Sequence, residues 1–200
     1  MKNILFFILL FISLNIFALD RVALVIGNAD YQINPLKNPT NDAIDISISL
    51  KDLGFEVILI ENANKSMMEE ALNEFSSKMK ESATSLFFYS GHAVQMGSKN
   101  YLLPIGSQKA ISKGMSSLSY FHQIQRLNNE AISSDWLISN IKGGSSNQNF
   151  IFLDACRNNP LPENTLEGLS KITIGDKGTL ISYATSPGKL ASDGKGRNSP

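Results

Sequence analysis

The sequence predicts an α/β sandwich, a mainly parallel β-sheet with helices on both faces. Three observations carry that expectation. Short apolar runs bounded by Gly, Asn or Asp recur along the chain, as buried strands require. The stretches between them space their apolar residues at helical intervals. Strand and helix alternate, and right-handed crossovers then place helices on both faces of a parallel sheet.

In chain order, "RVALVIGN" is β-branched and ends at Gly27, which marks a first strand. "NPTNDAIDISISLKDLG" follows as a helix, with Ala43, Ile46, Ile48 or Ser49, Leu50 and Leu53 on its apolar side and Gly54 as its stop. "GFEVILIEN" is the second strand. The next helix, "NKSMMEEALNEFSSKMKES", takes Ser66 as its cap with Glu69 three residues on as a capping box. Its apolar stripe is Met68, Leu72, Phe75 and Met79, and Met67 and Met68 read as helix residues rather than soft metal ligands. "TSLFFYSGH" is the third strand. Residues 93–129 show the least regular pattern. "SSDWLISNIKGG" reads as a helix before the strand "NFIFLDAC", "GTLISYAT" is the last strand, and "GKLASDGKGRNSP" is loop-like.

Composition bounds the function. The 200 residues are 42% hydrophobic and 18% charged, the profile of one globular domain. Eighteen basic residues balance eighteen acidic ones, and no basic block provides a footprint for phosphate backbones, so nucleic acid is not an expected partner. Lys2, the apolar run Ile4 to Leu14 and the small residue Ala18 have the layout of a signal peptide over residues 1–19. The expected location is therefore outside the cytoplasm, periplasmic or extracellular. Membrane attachment is expected only if that segment stays uncleaved as an anchor.

Cys156 is the single cysteine, so an intramolecular disulfide is impossible. Reactive groups of open parallel sheets gather beyond the carboxyl ends of the strands. There lie Asn28 after the first strand, Ser90, Gly91 and His92 after the third, and Asp154 and Cys156 after the fourth. A nearby imidazole lowers a thiol's pKa and makes it a nucleophile. His92 leaves a strand end beside Gly91 and qualifies, whereas His122 in "SYFHQIQ" has no such setting and reads as structural. One Cys and two distant His make no zinc spacing, and no calcium loop, GxGxxG or Walker sequence is present.

At "RVALVIGNADY", "LKNPTNDA", "LKDLGFEV", "LFFYSGHAVQ", "NYLLPI", "IFLDACRNNP" and "GTLISYATSPGKLASDG" the chain resembles the caspase-like cysteine peptidases, and among them the bacterial metacaspase-like or orthocaspase branch. The motifs run in order through residues 21–198. The caspase signature Q-A-C-[RQG]-G is half met, with Asp154 in place of Gln and Asn158 in place of Gly. The resemblance implies a caspase-like sandwich, a p20-type peptidase domain over residues 20–200, and relatives that continue past the position of Pro200 with at least one more helix. It makes Cys156 the nucleophile and His92 the general base, with the backbone N–H groups of Gly91 and Cys156 as oxyanion donors.

Asp154 and Asp42 would set two carboxylates in the pocket for the residue before the scissile bond, a sign that selects Arg or Lys. The family's pattern adds Ser90 to that pocket. Expected partners are thus protein or peptide substrates with basic residues. No cofactor is expected. Gly106 stands where relatives commonly carry an acidic residue that helps hold activating calcium, so the sequence leaves calcium activation open without supporting it. Lys109, Lys113, Arg126, Lys171 and Lys177 read as loop positions open to self-cleavage. The alternative readings are a caspase-like interaction module without turnover and a flavodoxin-like small-molecule binder.

Overall fold

The structure is a computed structural model that describes residues 20–143, 148–155, 169–172, 178–185 and 195–199. The expected leader, Cys156 and Lys177 lie outside the described residues. In chain order the elements are β1 (Arg21–Gly27), α1 (Pro39–Asp52), β2 (Glu56–Glu61), α2 (Lys65–Met79), β3 (Thr84–Gly91), β4 (Ala93–Met96), β5 (Lys99–Leu102), α3 (Ser107–Ser112), a 3₁₀ turn (Met115–Ser117), α4 (Tyr120–Glu130), β6 (Ile132–Ser133), α5 (Ser134–Gly143), β7 (Gln148–Ala155) and β8 (Thr179–Tyr183). Among the described residues no helix is long and apolar enough to cross a membrane.

Five strands form one sheet in the order β2-β1-β3-β7-β8. Every neighbouring pair is parallel. Alternate residues of a strand point to opposite faces, and the core divides accordingly. Val22, Leu24, Ile26, Phe87, Tyr89, Ile151 and Leu153 face Met68, Leu72 and Phe75 of α2 and Leu137 and Ile141 of α5. Ala23, Val25, Leu86 and Phe88 face Ala43 and Leu50 of α1 on the other side. The sandwich with helices on both faces is therefore observed. β2 is only partly buried because it is the sheet's edge.

Local details depart from the sequence reading. The stripe of α1 is Ala43, Ser47 and Leu50, while Ile48 and Leu53 are 52% and 60% exposed. A 3.6-residue pitch carries position 48 round to the solvent side once 43, 47 and 50 face the sheet. Gly54 does follow the helix end, at φ +80°. The cap of α2 is Asn64, not Ser66: its extended backbone lets the side-chain oxygen accept from Met67 N–H at 3.0 Å. Ser66 lies inside the helix and donates to Glu70 Oε1 at 3.1 Å.

Residues 93–129 are more regular than their pattern implies. β4, β5 and β6 form a small antiparallel sheet, and α3 and α4 pack with it around a second core of Tyr31, Val94, Tyr101, Leu103, Ile111 and Leu127. Its strands have two to four residues, too short for periodicity to register. Lys109 lies within α3 and Arg126 within α4, which removes both from the loop positions expected for self-cleavage.

Candidate active site

The carboxyl ends of β1, β3 and β7 are neighbours. Gly27 pairs with Ser90, Ser90 with Asp154, and Gly91 with Ala155, the residue that precedes Cys156. Asn28, just after β1, is fully buried. Its Oδ1 accepts from Ala63 N–H at 2.8 Å, and its amide donates to the Leu103 carbonyl at 3.3 Å. Three chain segments are thereby tied beneath the site.

His92 is fully buried, and both its backbone and its ring are held. Its backbone N–H donates to Tyr31 Oη at 3.0 Å, and its carbonyl accepts from Tyr89 Oη at 2.7 Å. Tyr31 also packs its ring 4.5 Å from the imidazole and donates to the Leu103 carbonyl at 2.9 Å. Nε2 of His92 lies 2.7 Å from the Asn34 carbonyl oxygen. A carbonyl only accepts, so Nε2 carries the hydrogen. In the neutral ring Nδ1 is then the basic nitrogen.

Asn34, Tyr31 and Tyr89 were not singled out by the sequence. Asn34 reaches His92 from a left-handed backbone at φ +53°, a conformation Asn tolerates better than most residues. The loop that carries it is pinned at several points. Asn62 Oδ1 accepts from Ala29 N–H at 2.8 Å and Asp30 N–H at 3.0 Å. Gln108 exchanges two bonds with the backbone of Ile33, accepting at 2.9 Å and donating at 2.8 Å. The "NP" pair at Asn34 and Pro35 is a turn signal. Nothing in the sequence links that turn to a histidine 58 positions away.

Gly91 is the last residue of β3, and its lack of a side chain is required by its neighbours. A Cβ there would lie 2.8 Å from both the Tyr31 and the Tyr89 hydroxyl oxygens. Those hydroxyls hold the backbone of His92, so Gly91→Ala is expected to destabilise the fold by about 1–3 kcal/mol. Denaturant unfolding of Gly91→Ala beside the parent checks the effect.

The three residues assigned to a substrate pocket meet at one hydroxyl. Ser90 Oγ lies 3.1 Å from Asp154 Oδ2 and 3.4 Å from Asp42 Oδ2. Sheet register puts Asp154 beside Ser90, and the first turn of α1 brings Asp42 over the same strand end. Asp42 and Asp154 border a cavity of about 370 Å³, with Phe88 and Phe152 as apolar wall and Asp45 as a third carboxylate, while Ser90 is buried behind them. Apolar walls beside carboxylates suit a long-stemmed cation.

Segment 195–199 also reaches this cavity. Arg197 forks onto Asp45, Nε to Oδ2 at 3.2 Å and Nη2 to Oδ1 at 3.0 Å. Arg197, then Asn198, hold the Asp45 carboxyl below the usual carboxylate range. Ser199 donates from N to Asp42 Oδ1 at 2.9 Å and from Oγ to Asp42 Oδ2 at 2.6 Å. The loop-like composition of this stretch gave no sign of that docking.

His122 stands at the start of α4. Its Nδ1 is 2.7 Å from Ser119 Oγ, its ring packs edge-on against Phe121, and the pair is exposed. Among the described residues no three His, Cys, Asp or Glu side chains are grouped to hold a metal ion.

The family model of the caspase domain, peptidase family C14, matches residues 20–200. The chain belongs to the caspase-domain family. Its domain is accordingly that of a cysteine peptidase family. Mucosa-associated lymphoid tissue lymphoma translocation protein 1 of Homo sapiens is 30% identical over 89 residues, which cover 44% of this chain and 11% of that protein. The Mus musculus homologue matches with the same identity and coverage. The matched part is thus about a tenth of the length of these curated relatives. The crystal structure of protein GSU0716 from Geobacter sulfurreducens is similar at a TM-score of 0.50 and 15% identity, over 70% of this chain and 51% of that one, a likeness of fold.

Proposed function

We propose that this caspase-domain protein is an endopeptidase of the metacaspase-like branch that cleaves after Arg or Lys through a Cys156–His92 dyad. The observation that carries the reading is the hydrogen bond from His92 Nε2 to the Asn34 carbonyl, which leaves Nδ1 as the base. Pairing of Gly91 with Ala155 puts the two strand ends side by side, one residue before His92 and one before Cys156.

In this mechanism Nδ1 takes the thiol proton and the thiolate attacks the scissile carbonyl. The N–H groups of Gly91 and Cys156 receive the oxyanion, and the imidazolium returns its proton to the leaving amine. Water then hydrolyses the acyl-enzyme. Asp154 and Asp42, bridged by Ser90, take the substrate's basic side chain, whose methylenes lie along Phe88 and Phe152. No cofactor enters, and export, to the periplasm or beyond, places the enzyme among extracytoplasmic substrates.

Incubation of the protein with Arg-, Lys- and Asp-ending reporter peptides tests the reading. Arg and Lys peptides should be cut at least about a hundredfold faster than the Asp peptide. Added calcium should leave the rates unchanged. Cleavage after Asp alone would overturn the pocket assignment, and binding without turnover would instead identify an interaction module.

A further inference from the structure

We propose that the Asp45–Arg197 pair is a positioning clasp that completes the substrate pocket by holding Ser199 on the Asp42 carboxylate. The inference rests on the reading of Asp42, Ser90 and Asp154 as the pocket for a basic side chain. Asp45 lies three residues after Asp42 on α1, so the two carboxylates are neighbours on one side of the helix. Segment 195–199 covers both at once. Arg197 forks onto Asp45, Asn198 Nδ2 adds a bond to Asp45 Oδ2 at 2.9 Å, and Asn41 donates to the Arg197 carbonyl at 3.1 Å. The next residue, Ser199, is thereby delivered to both oxygens of Asp42.

The segment could act as a plug or as a wall, and volume decides between them. With Asn198 and Ser199 in place the cavity still measures about 370 Å³, and both residues border it rather than fill it. Pockets of roughly 300 Å³ and upward already accept whole small ligands, so one arginine side chain fits. Ser199 then fixes the orientation of Asp42, whose Oδ2 also lies 3.4 Å from Ser90 Oγ. A carboxylate held in advance costs the incoming guanidinium less ordering. Arg197 is a cation bound near the pocket, but on Asp45 and not on the two carboxylates that meet at Ser90.

The test uses the full chain carrying Cys156→Ala, so that peptide binds without being cut. The affinities of an Arg-ending peptide amide and of its norleucine counterpart are measured by calorimetry. Asp45→Ala and Arg197→Ala should each weaken the Arg peptide about three- to fivefold, the range of a well-formed exposed pair. The double variant should lose no more than the worse single one, because both remove the same clasp. Arg197→Lys should retain part of the affinity, and the exchange Asp45→Arg with Arg197→Asp should restore most of it. The norleucine peptide should respond to none of these changes. Unchanged affinity in both single variants, additive losses, or equal losses for the two peptides would overturn the clasp, and tighter binding would identify a plug. If the Cys156 protein shows no turnover while these binding differences hold, the peptidase reading fails and the clasp stands. If the parent does not distinguish the Arg from the norleucine peptide, both fail.

Discussion

His92→Ala is expected to abolish hydrolysis of an Arg-ending reporter peptide. A positioned general base contributes about 10²- to 10⁴-fold, and in the proposed mechanism the same imidazole activates the nucleophile and protonates the leaving group. Loss of at least about a thousandfold in kcat/KM follows, because both steps depend on one residue. Cys156→Ala should lose as much, and the double variant should be no worse than either, as residues that act as a unit are not additive. His122→Ala should keep most of the activity, since its contacts are with Ser119 and Phe121 at a helix start. Removing a fully buried ring also opens a cavity, so folding must be separated from chemistry. Retained peptide binding by His92→Ala makes that separation. Comparable activity loss from His122→Ala would overturn the assignment.

The sequence showed the five strands of the main sheet because each is an apolar run long enough to register, and the sheet then determines which residues meet. Ser90 and Asp154 are 64 positions apart, yet both could be placed at one edge because each lies at the carboxyl end of a strand in a parallel sheet. Asp42 was legible through the family's motif, and α1 brings it there. Asn34 was not legible. Its role lies in a backbone carbonyl, which every residue has, and in a loop geometry set by Asn62 and Gln108 from elsewhere in the chain. Asp45 and Arg197 were hidden for a different reason. Their pairing depends on how residues 195–199 return across α1, and charge balance alone does not specify which of 18 acidic and 18 basic residues meet. The Tyr31 and Tyr89 hydroxyls also escaped notice, because apolar patterning counts a tyrosine as core and ignores its polar tip.

Asp154→Asn should separate recognition from folding. Asparagine has nearly the same shape and keeps a carbonyl oxygen to accept from Ser90, so stability should change by less than about 1 kcal/mol. The negative charge is lost. Truncating one partner of a buried hydrogen-bonded charge pair costs about 2–5 kcal/mol, and Asp42 remains to take part of the substrate's charge. The lower part of that range applies, and kcat/KM for the Arg peptide should fall about 30- to 300-fold. Most of the loss should be in KM, because the guanidinium is bound alike in substrate and transition state. Asp42→Asn should cost less, since both of its oxygens already accept from Ser199 and its charge is partly engaged before substrate arrives. The Lys peptide should suffer less than the Arg peptide in Asp154→Asn, as a point cation does not depend on a two-pronged acceptor. A loss confined to kcat, with KM unchanged, would place Asp154 with the reacting atoms instead of the specificity pocket.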